Sequence, residues 1–392
     1  DLITVAADEV IGLHGNAEVV RPGAPSGGGA AGLHRTIADN AAELAAYGDL
    51  FGAGTVEAYI AAVEGAFAQA ADLLDQRAAA GFVRHCHGDL HLANICMFED
   101  RPTLFDAIEF SEAIACIDTL YDFAFLLMDL DVRGLAPLAN RAFNRYMARN
   151  SNAMASIAGG AALPLFMSVR AAIRAVVSAL TAANLDDVDA ATAQAAARDY
   201  LFAAQRYLEP SHPTLMAIGG ASGTGKSAVA LALAPAIGGA PGALILRTDE
   251  IRKQLAGLRD DEQLPPSAYT AEHHKAVYAE MQARAAASLA AGRSCILDAV
   301  HGQPGERAQA RQLAQRHDAI FAAVWLDAPR ERLFERITAR QNDPSDADAE
   351  IVRRQLATGF GDIDWPRVDS DQPLDRVVDA VSRVVQRGSK CP

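Results

Sequence analysis

The sequence predicts an α/β protein: a helical half followed by a half in which a parallel sheet lies between helices. Three observations predict it. The chain has 392 residues, more than one ordinary core fills, so two domains are expected. Up to residue 208 the apolar positions recur mostly at helical spacing, and from Thr214 onward short Val/Ile/Leu-rich runs alternate with amphipathic helical stretches. The first of those runs is followed by Gly220-Ala221-Ser222-Gly223-Thr224-Gly225-Lys226-Ser227. That spacing belongs to a strand turning through a glycine loop into a helix.

Composition bounds the rest. Apolar residues make up 51% and charged residues 21%, which fits a globular chain. The net charge of −14 and pI near 5.1 argue against a broad surface tracking DNA or RNA phosphates, so nucleic acid is not an expected partner. Five cysteines without C-x-x-C spacing predict reduced thiols and a cytoplasmic protein. The uncharged runs 150–169 and 228–246 carry Gly, Pro and much Ala, and neither is expected to span a membrane. The first residue is Asp1 rather than Met, so the chain reads as part of a longer protein.

Residues 1–20 are expected to be helical, with Leu2, Val5, Ala6, Val10 and Leu13 on one side. The Pro/Gly/Ser-rich stretch 21–32 contains Gly27-x-Gly29-x-x-Gly32. No strand precedes it and Pro22 and Pro25 interrupt the approach, so it reads as a flexible loop and not a nucleotide site. Residues 33–80 are Ala-rich and helical.

Then comes His87-Gly88-Asp89-Leu90-His91-Leu92-Ala93-Asn94, followed by 104–110 as a short strand ending in acids. The pattern H-x-D-x-x-x-x-N with a later Asp is that of a phosphotransfer loop. Asp89 would accept a substrate hydroxyl proton, and Asn94 and Asp106 would hold Mg2+. The competing reading is an acidic turn with structural histidines. Cys86 and Cys96 flank the loop as buried thiols or, less simply, as zinc ligands.

These residues resemble the aminoglycoside phosphotransferase and choline kinase group, whose loop reads H-G-D-x-H-x-x-N. The stretch 118–129 is similar to that group as well. There an Asp on the next helix steadies the loop, and Asp122 is the matching position. The chain departs from the group in one respect. Such a fold needs an N-lobe lysine, and the lysines here are Lys226, Lys253, Lys275 and Lys390. The resemblance therefore covers the helical C-lobe alone and implies either a domain whose N-lobe lies upstream, which would make it a second kinase with Asp89 as its base, or a domain that no longer transfers phosphate and is non-catalytic in this form.

Residues 161–208 are again helical. Arg170 and Arg174 share a face and either pair with acids or line a groove. Asp186-Asp187-Val188-Asp189 reads as a solvated acidic turn. A linker at 209–213 then separates a first domain, 1–208, from a second, 214–388.

In the second domain the strands are expected at 215–219, 243–247, 294–297 and 319–326. Residues 220–227 would wrap ATP phosphates with backbone N–H groups, helped by the helix N-terminus. Lys226 would bridge the β- and γ-phosphates, and Ser227 would ligate Mg2+. Asp249 is the candidate base for an acceptor hydroxyl and Arg252 the candidate anion holder. Asp298, ending its strand, is either a second metal-side acid or a helix cap. Arg332, Arg336 and Arg340, followed by Asp343, Asp346 and Asp348, form either a segment that carries arginines over the phosphates or a solvated helix with paired charges.

This half resembles small P-loop kinases, a group including gluconate kinase, zeta-type toxins and the kinase part of polynucleotide kinase. Asp249-x-x-Arg252 and the 336–346 segment carry that likeness. The whole order resembles bacterial bifunctional aminoglycoside phosphotransferase/ATP-binding proteins of the AAA ATPase type, on residues 105–110 and 219–227. The resemblance implies an ATP- and Mg2+-dependent phosphotransferase acting on a small hydroxyl acceptor. Two other classes stay open: an ATP-binding interaction switch, and an end kinase of nucleic acids, which the charge disfavours.

Overall fold

The computed structural model describes residues 1–21, 26–150, 152–259, 262–265, 268, 270–339 and 349–388. The chain divides into two compact units, Asp1–Pro210 with Gly239–Pro241, and Ser211–Gly238 with Gly242–Pro392.

The first unit is mainly helical. Helices Leu2–Asn16, Gly29–Ala46, Gly48–Phe51 and Ala53–Ala79 precede four short strands: β1 (Val83–His85), β2 (Ile95–Phe98), β3 (Arg101–Leu104) and β4 (Cys116–Asp118). β1 pairs antiparallel with β4, and β2 with β3. At the centre lies helix Thr119–Val132, buried at every position from Thr119 to Leu130. A helix apolar all round must be covered all round, and helices Leu163–Ala182 and Ala136–Arg149 pack on it. Asp118 caps its first turn through the Leu120 N–H and pairs bidentately with the buried Arg77 at 2.7 and 2.8 Å.

The run Ala153–Ala182 is apolar and long enough to cross a membrane, but 67% of its most apolar window is buried inside the protein, as in a core helix. The expected acidic turn at 186–189 instead opens helix Asp187–Tyr207, where acids suit the helix dipole. The expected strand at 104–110 stops at Leu104, because Asp106 takes a φ of +61° that no strand accommodates.

The glycines of 27–32 are packing residues, which corrects the expectation of a flexible loop. A Cβ on Gly27 would lie 2.1 Å from the Ala113 carbonyl oxygen, and one on Gly28 would lie 2.5 Å from Val83. Pro22 and Pro25 lie outside the described residues.

The second unit is a five-stranded parallel sheet with helices on its faces. Its strands are β5 (Thr214–Gly219), β6 (Leu244–Arg247), β7 (Cys295–Asp298), β8 (Ile320–Asp327) and β9 (Arg367–Asp369), in the order β6-β7-β5-β8-β9. β5, buried at all six positions, is flanked by β7 and β8. The chain leaves β5 toward one edge and later returns to its other side. The crevice at the carboxyl end of β5 is therefore the topological switch point where ligands of such sheets gather. Helices Lys226–Leu233 and Leu374–Gly388 seal one face through Met216, Ile218, Val229, Val324 and Val381. β9 was not foreseen: three residues, two of them charged, carry no strand pattern.

Candidate nucleotide site

The loop between β5 and helix Lys226–Leu233 needs its glycines. Gly220, Gly223 and Gly225 have φ of +142°, +92° and +86°, which side chains rarely adopt. A Cβ would stand 2.6 Å from the Leu326 carbonyl oxygen at Gly220 and 2.9 Å from that of Leu333 at Gly223. The Gly220 N–H donates to the Val300 carbonyl at 3.2 Å, fixing the loop's start to the chain beyond β7. Thr224 closes the turn by donating its hydroxyl to the Ala221 carbonyl at 2.8 Å.

Lys226 Nζ donates to the Gly220 and Ala221 carbonyls at 2.9 and 3.0 Å. Ser227 Oγ donates to Asp298 Oδ2 at 2.6 Å. The register explains the second contact: Asp298 sits beside Ile218, the residue two before the loop. Asp298 ends a strand and opens no helix, so the cap reading falls.

A cleft of about 180 Å³ brings Lys226, Ser227, Asp249, Asp298 and Arg336 together. Arg336 donates to the Ser370 carbonyl at 2.7 Å and to that of Gly223 at 3.5 Å. Arg252 does not line this cleft. It is buried, and its Nη1 donates to the Ala268 carbonyl at 3.3 Å. Arg340, with Asp343, Asp346 and Asp348, lies outside the described residues.

Two residues of the site were not anticipated. Arg247, at the end of β6, is 3.4 Å from Asp298 Oδ2 and 3.0 Å from Glu250 Oε1. Its place directly before Thr248-Asp249 was the available signal. Gln355 accepts from the Ser222 N–H at 2.9 Å and donates to Ser222 Oγ at 3.1 Å, and nothing local in the sequence marks it. Its helix, Ala349–Thr358, and helix Arg330–Thr338 rest on Ala221 through Leu333 and Val352.

The residues fit a magnesium-bound nucleotide. The glycines let the loop backbone lie against the Leu326 and Leu333 carbonyls, and Ser227 with Asp298 supplies hard oxygen donors of the kind Mg2+ takes beside phosphates. Helix Lys226–Leu233 begins at the loop and adds its positive end.

In the first unit Asp89 and Asn94 converge. Asn94 Nδ2 donates to the Asp89 carbonyl and to Asp89 Oδ2, both at 2.9 Å. The His91 hydrogen bond holds the Asp89 carboxyl below the usual carboxylate range; burial opposes this, while Asn94 and Arg170 add to it. Asp122 accepts from the His87 and Gly88 N–H groups at 3.2 and 2.9 Å, so it does steady the loop. Arg170 donates to the Gly88 carbonyl at 3.2 Å and stacks on the Tyr121 ring. Arg174 lies over Tyr200 instead.

Asp106 is exposed, and among the described residues no hydrogen bond or ion pair joins it to Asn94. The described group of acids, His and Cys near enough to share an ion is His14, Cys86 and Asp122, all buried. His14 there is held by Tyr146 at 2.8 Å and Asp122 at 3.0 Å. Cys96 is exposed while Cys86 is buried.

Sheet order, glycine loop and cleft define the second unit as a P-loop nucleoside triphosphate-binding domain. A family described as "AAA domain" matches residues 215–359. An uncharacterized protein of Mycobacterium tuberculosis strain H37Rv is 30% identical over 348 residues, which span 87% of this chain and 67% of that protein. One from Mycobacterium bovis has the same identity and coverage. The chain belongs to the family of these mycobacterial proteins.

Among solved structures, a gluconokinase from Sinorhizobium meliloti is 23% identical with a TM-score of 0.33, covering 45% of this chain and 93% of that one. The APS kinase CysC of Mycobacterium tuberculosis is 18% identical with a TM-score of 0.32, covering 45% and 98%.

Proposed function

We propose that this protein is an ATP- and Mg2+-dependent phosphotransferase whose working site is the second unit and whose acceptor is a small hydroxyl compound. The observation that carries the reading is one cleft holding both Lys226 with Ser227 and Asp298, for the phosphates, and Asp249, for an acceptor. A bound Mg2+ would neutralise charge between the β- and γ-phosphates. Lys226, released from the loop carbonyls, would hold the phosphate oxygens. Asp249 would orient the acceptor hydroxyl and take its proton. Arg336, already on the Gly223 carbonyl, would offset charge on the transferring group.

In this reading the first unit is an aminoglycoside phosphotransferase-like C-lobe that transfers no phosphate in this form. The Asp122 bonds to the His87 and Gly88 amides support the likeness.

The test is ATP consumption measured across a panel of small polyols and sugars. A phosphotransferase consumes ATP faster with one class of acceptor, and Asp249→Asn lowers that rate by about 100-fold or more while sparing ATP binding. ATP use indifferent to every acceptor and to Asp249→Asn contradicts the proposal.

A second reading is an ATP-binding switch that docks a partner. It is favoured by the exposed aromatic side chains Phe98, Phe105 and Phe110 of the first unit. Slow, acceptor-independent hydrolysis with tight nucleotide binding would decide for it.

A further inference from the structure

Arg247 and Asp298 are register partners at the carboxyl ends of β6 and β7. The backbone ladder itself therefore sets a guanidinium beside this carboxylate. Asp298 is almost completely buried and Arg247 largely so. Asp298 Oδ2 accepts the Ser227 hydroxyl at 2.6 Å and faces Arg247 Nε at 3.4 Å. A buried carboxylate needs charge compensation as well as a hydrogen bond. Ser227 supplies a bond, and the Arg247 guanidinium, 3.4 Å away, supplies positive charge beside it.

The contacts of Arg247 with Glu250 and Asp298 are unequal. Toward Glu250 it makes a hydrogen-bonded pair at 3.0 Å. Toward Asp298 it makes a longer charge contact at 3.4 Å. A cation arriving at Asp298 could displace the weaker contact and leave Arg247 compensated on Glu250.

We propose that Arg247 is a positioning residue that stands in for the metal. It holds Asp298 in its ligating orientation while no nucleotide is bound, and it makes entry of a divalent cation conditional on the phosphates that accompany it. This rests on the reading that Ser227 and Asp298 form the metal side of the ATP site. A bare dication at Ser227 and Asp298 would meet the guanidinium 3.4 Å from Asp298, with Lys226 and Arg336 in the same cleft. A dication carried on a triphosphate brings its own ligands and negative charge, which outweigh the guanidinium.

The experiment titrates Mn2+ into the full chain, with and without ATP, and follows free Mn2+ by electron paramagnetic resonance. The wild type is expected to take Mn2+ only with ATP. Arg247→Gln is expected to bind Mn2+ without nucleotide at least about tenfold more tightly than the wild type. Arg247→Lys, which keeps a charge without the planar fork, is expected to behave as wild type. Glu250→Gln moves affinity the other way. It removes the 3.0 Å carboxylate partner of the guanidinium, strengthens its hold on Asp298 and weakens Mn2+·ATP binding about tenfold.

The chain's two tryptophans, Trp325 and Trp365, both lie in the second unit, so their emission reports whether each variant is folded. If Arg247→Gln fails to fold, Glu250→Gln decides by its effect on Mn2+·ATP affinity. Unchanged nucleotide-free Mn2+ binding in a folded Arg247→Gln that still binds Mn2+·ATP overturns the inference and leaves the ATP site standing. So does unchanged Mn2+·ATP affinity in Glu250→Gln. A wild type that binds no Mn2+·ATP overturns both.

Discussion

Ser227 Oγ donates to Asp298 Oδ2 at 2.6 Å, joining the end of the phosphate loop to the end of the neighbouring strand. The parallel pairing of β5 with β7 sets this contact. Ser227→Ala should therefore leave the fold intact and remove a metal ligand. ATP affinity in the presence of Mg2+ should fall about tenfold or more, and chelating the metal should then change little further. Calorimetry with and without chelator checks this. A Ser227→Ala variant with wild-type metal dependence would place the metal elsewhere.

Gly223 combines a φ of +92° with a Cβ position 2.9 Å from the Leu333 carbonyl oxygen. Gly223→Ala should cost about 1–3 kcal/mol of stability in the second unit. Gly225→Ala, with a φ of +86° but nothing within 4 Å, meets only the backbone penalty, about 1 kcal/mol. Urea unfolding followed by tryptophan emission separates the two. Equal midpoints for both variants would mean the Leu333 contact does not matter.

Much of this site was legible because its chemistry is local. Gly220 to Ser227 are consecutive, and the strand-loop-helix context around them is a short-range pattern. Asp298 was legible as the last residue of an apolar run. Gln355 was not, because it reaches Ser222 from 133 positions away, and only tertiary packing brings its helix there. Arg252 misled for the opposite reason. Sequence spacing put it one turn from Asp249, but the helix Thr248–Leu255 turns it toward Ala268. In the first unit the glycines of 27–32 look like a loop in sequence, because close packing and flexibility both select glycine.

His301 should make the second unit acid-sensitive. Burial pushes its imidazole down to about 4, against a smaller upward pull from Glu306. The unfolded chain then binds a proton below the ordinary histidine range that the folded chain refuses. Stability is complete above about pH 6.5 and falls as pH drops toward 4, by on the order of 3 kcal/mol in all. Urea midpoints from pH 7 to 4.5, read by tryptophan emission, measure the slope. His301→Phe should flatten it; an unchanged slope would assign the sensitivity to other groups.

Asp122 carries the loop of the first unit. It is fully buried. Burial alone would raise its carboxyl, but the His14 bond and the charges of His14, Arg170 and His87 hold it below the ordinary range. Asp122→Asn should cost about 3 kcal/mol. Hydrogen exchange at the His87 and Gly88 amides should quicken roughly a hundredfold. Unchanged protection there would mean that other contacts hold the loop.

The most direct test of the whole account is calorimetric binding of ATP with Mg2+ to the wild type, Lys226→Ala and Asp89→Ala. Lys226 lies on the phosphate loop, while Asp89 lies in the first unit beside Asn94. The account predicts that Lys226→Ala abolishes binding and that Asp89→Ala leaves affinity and stoichiometry unchanged. Binding that survives Lys226→Ala and disappears with Asp89→Ala would contradict it, and would move the working nucleotide site to the first unit.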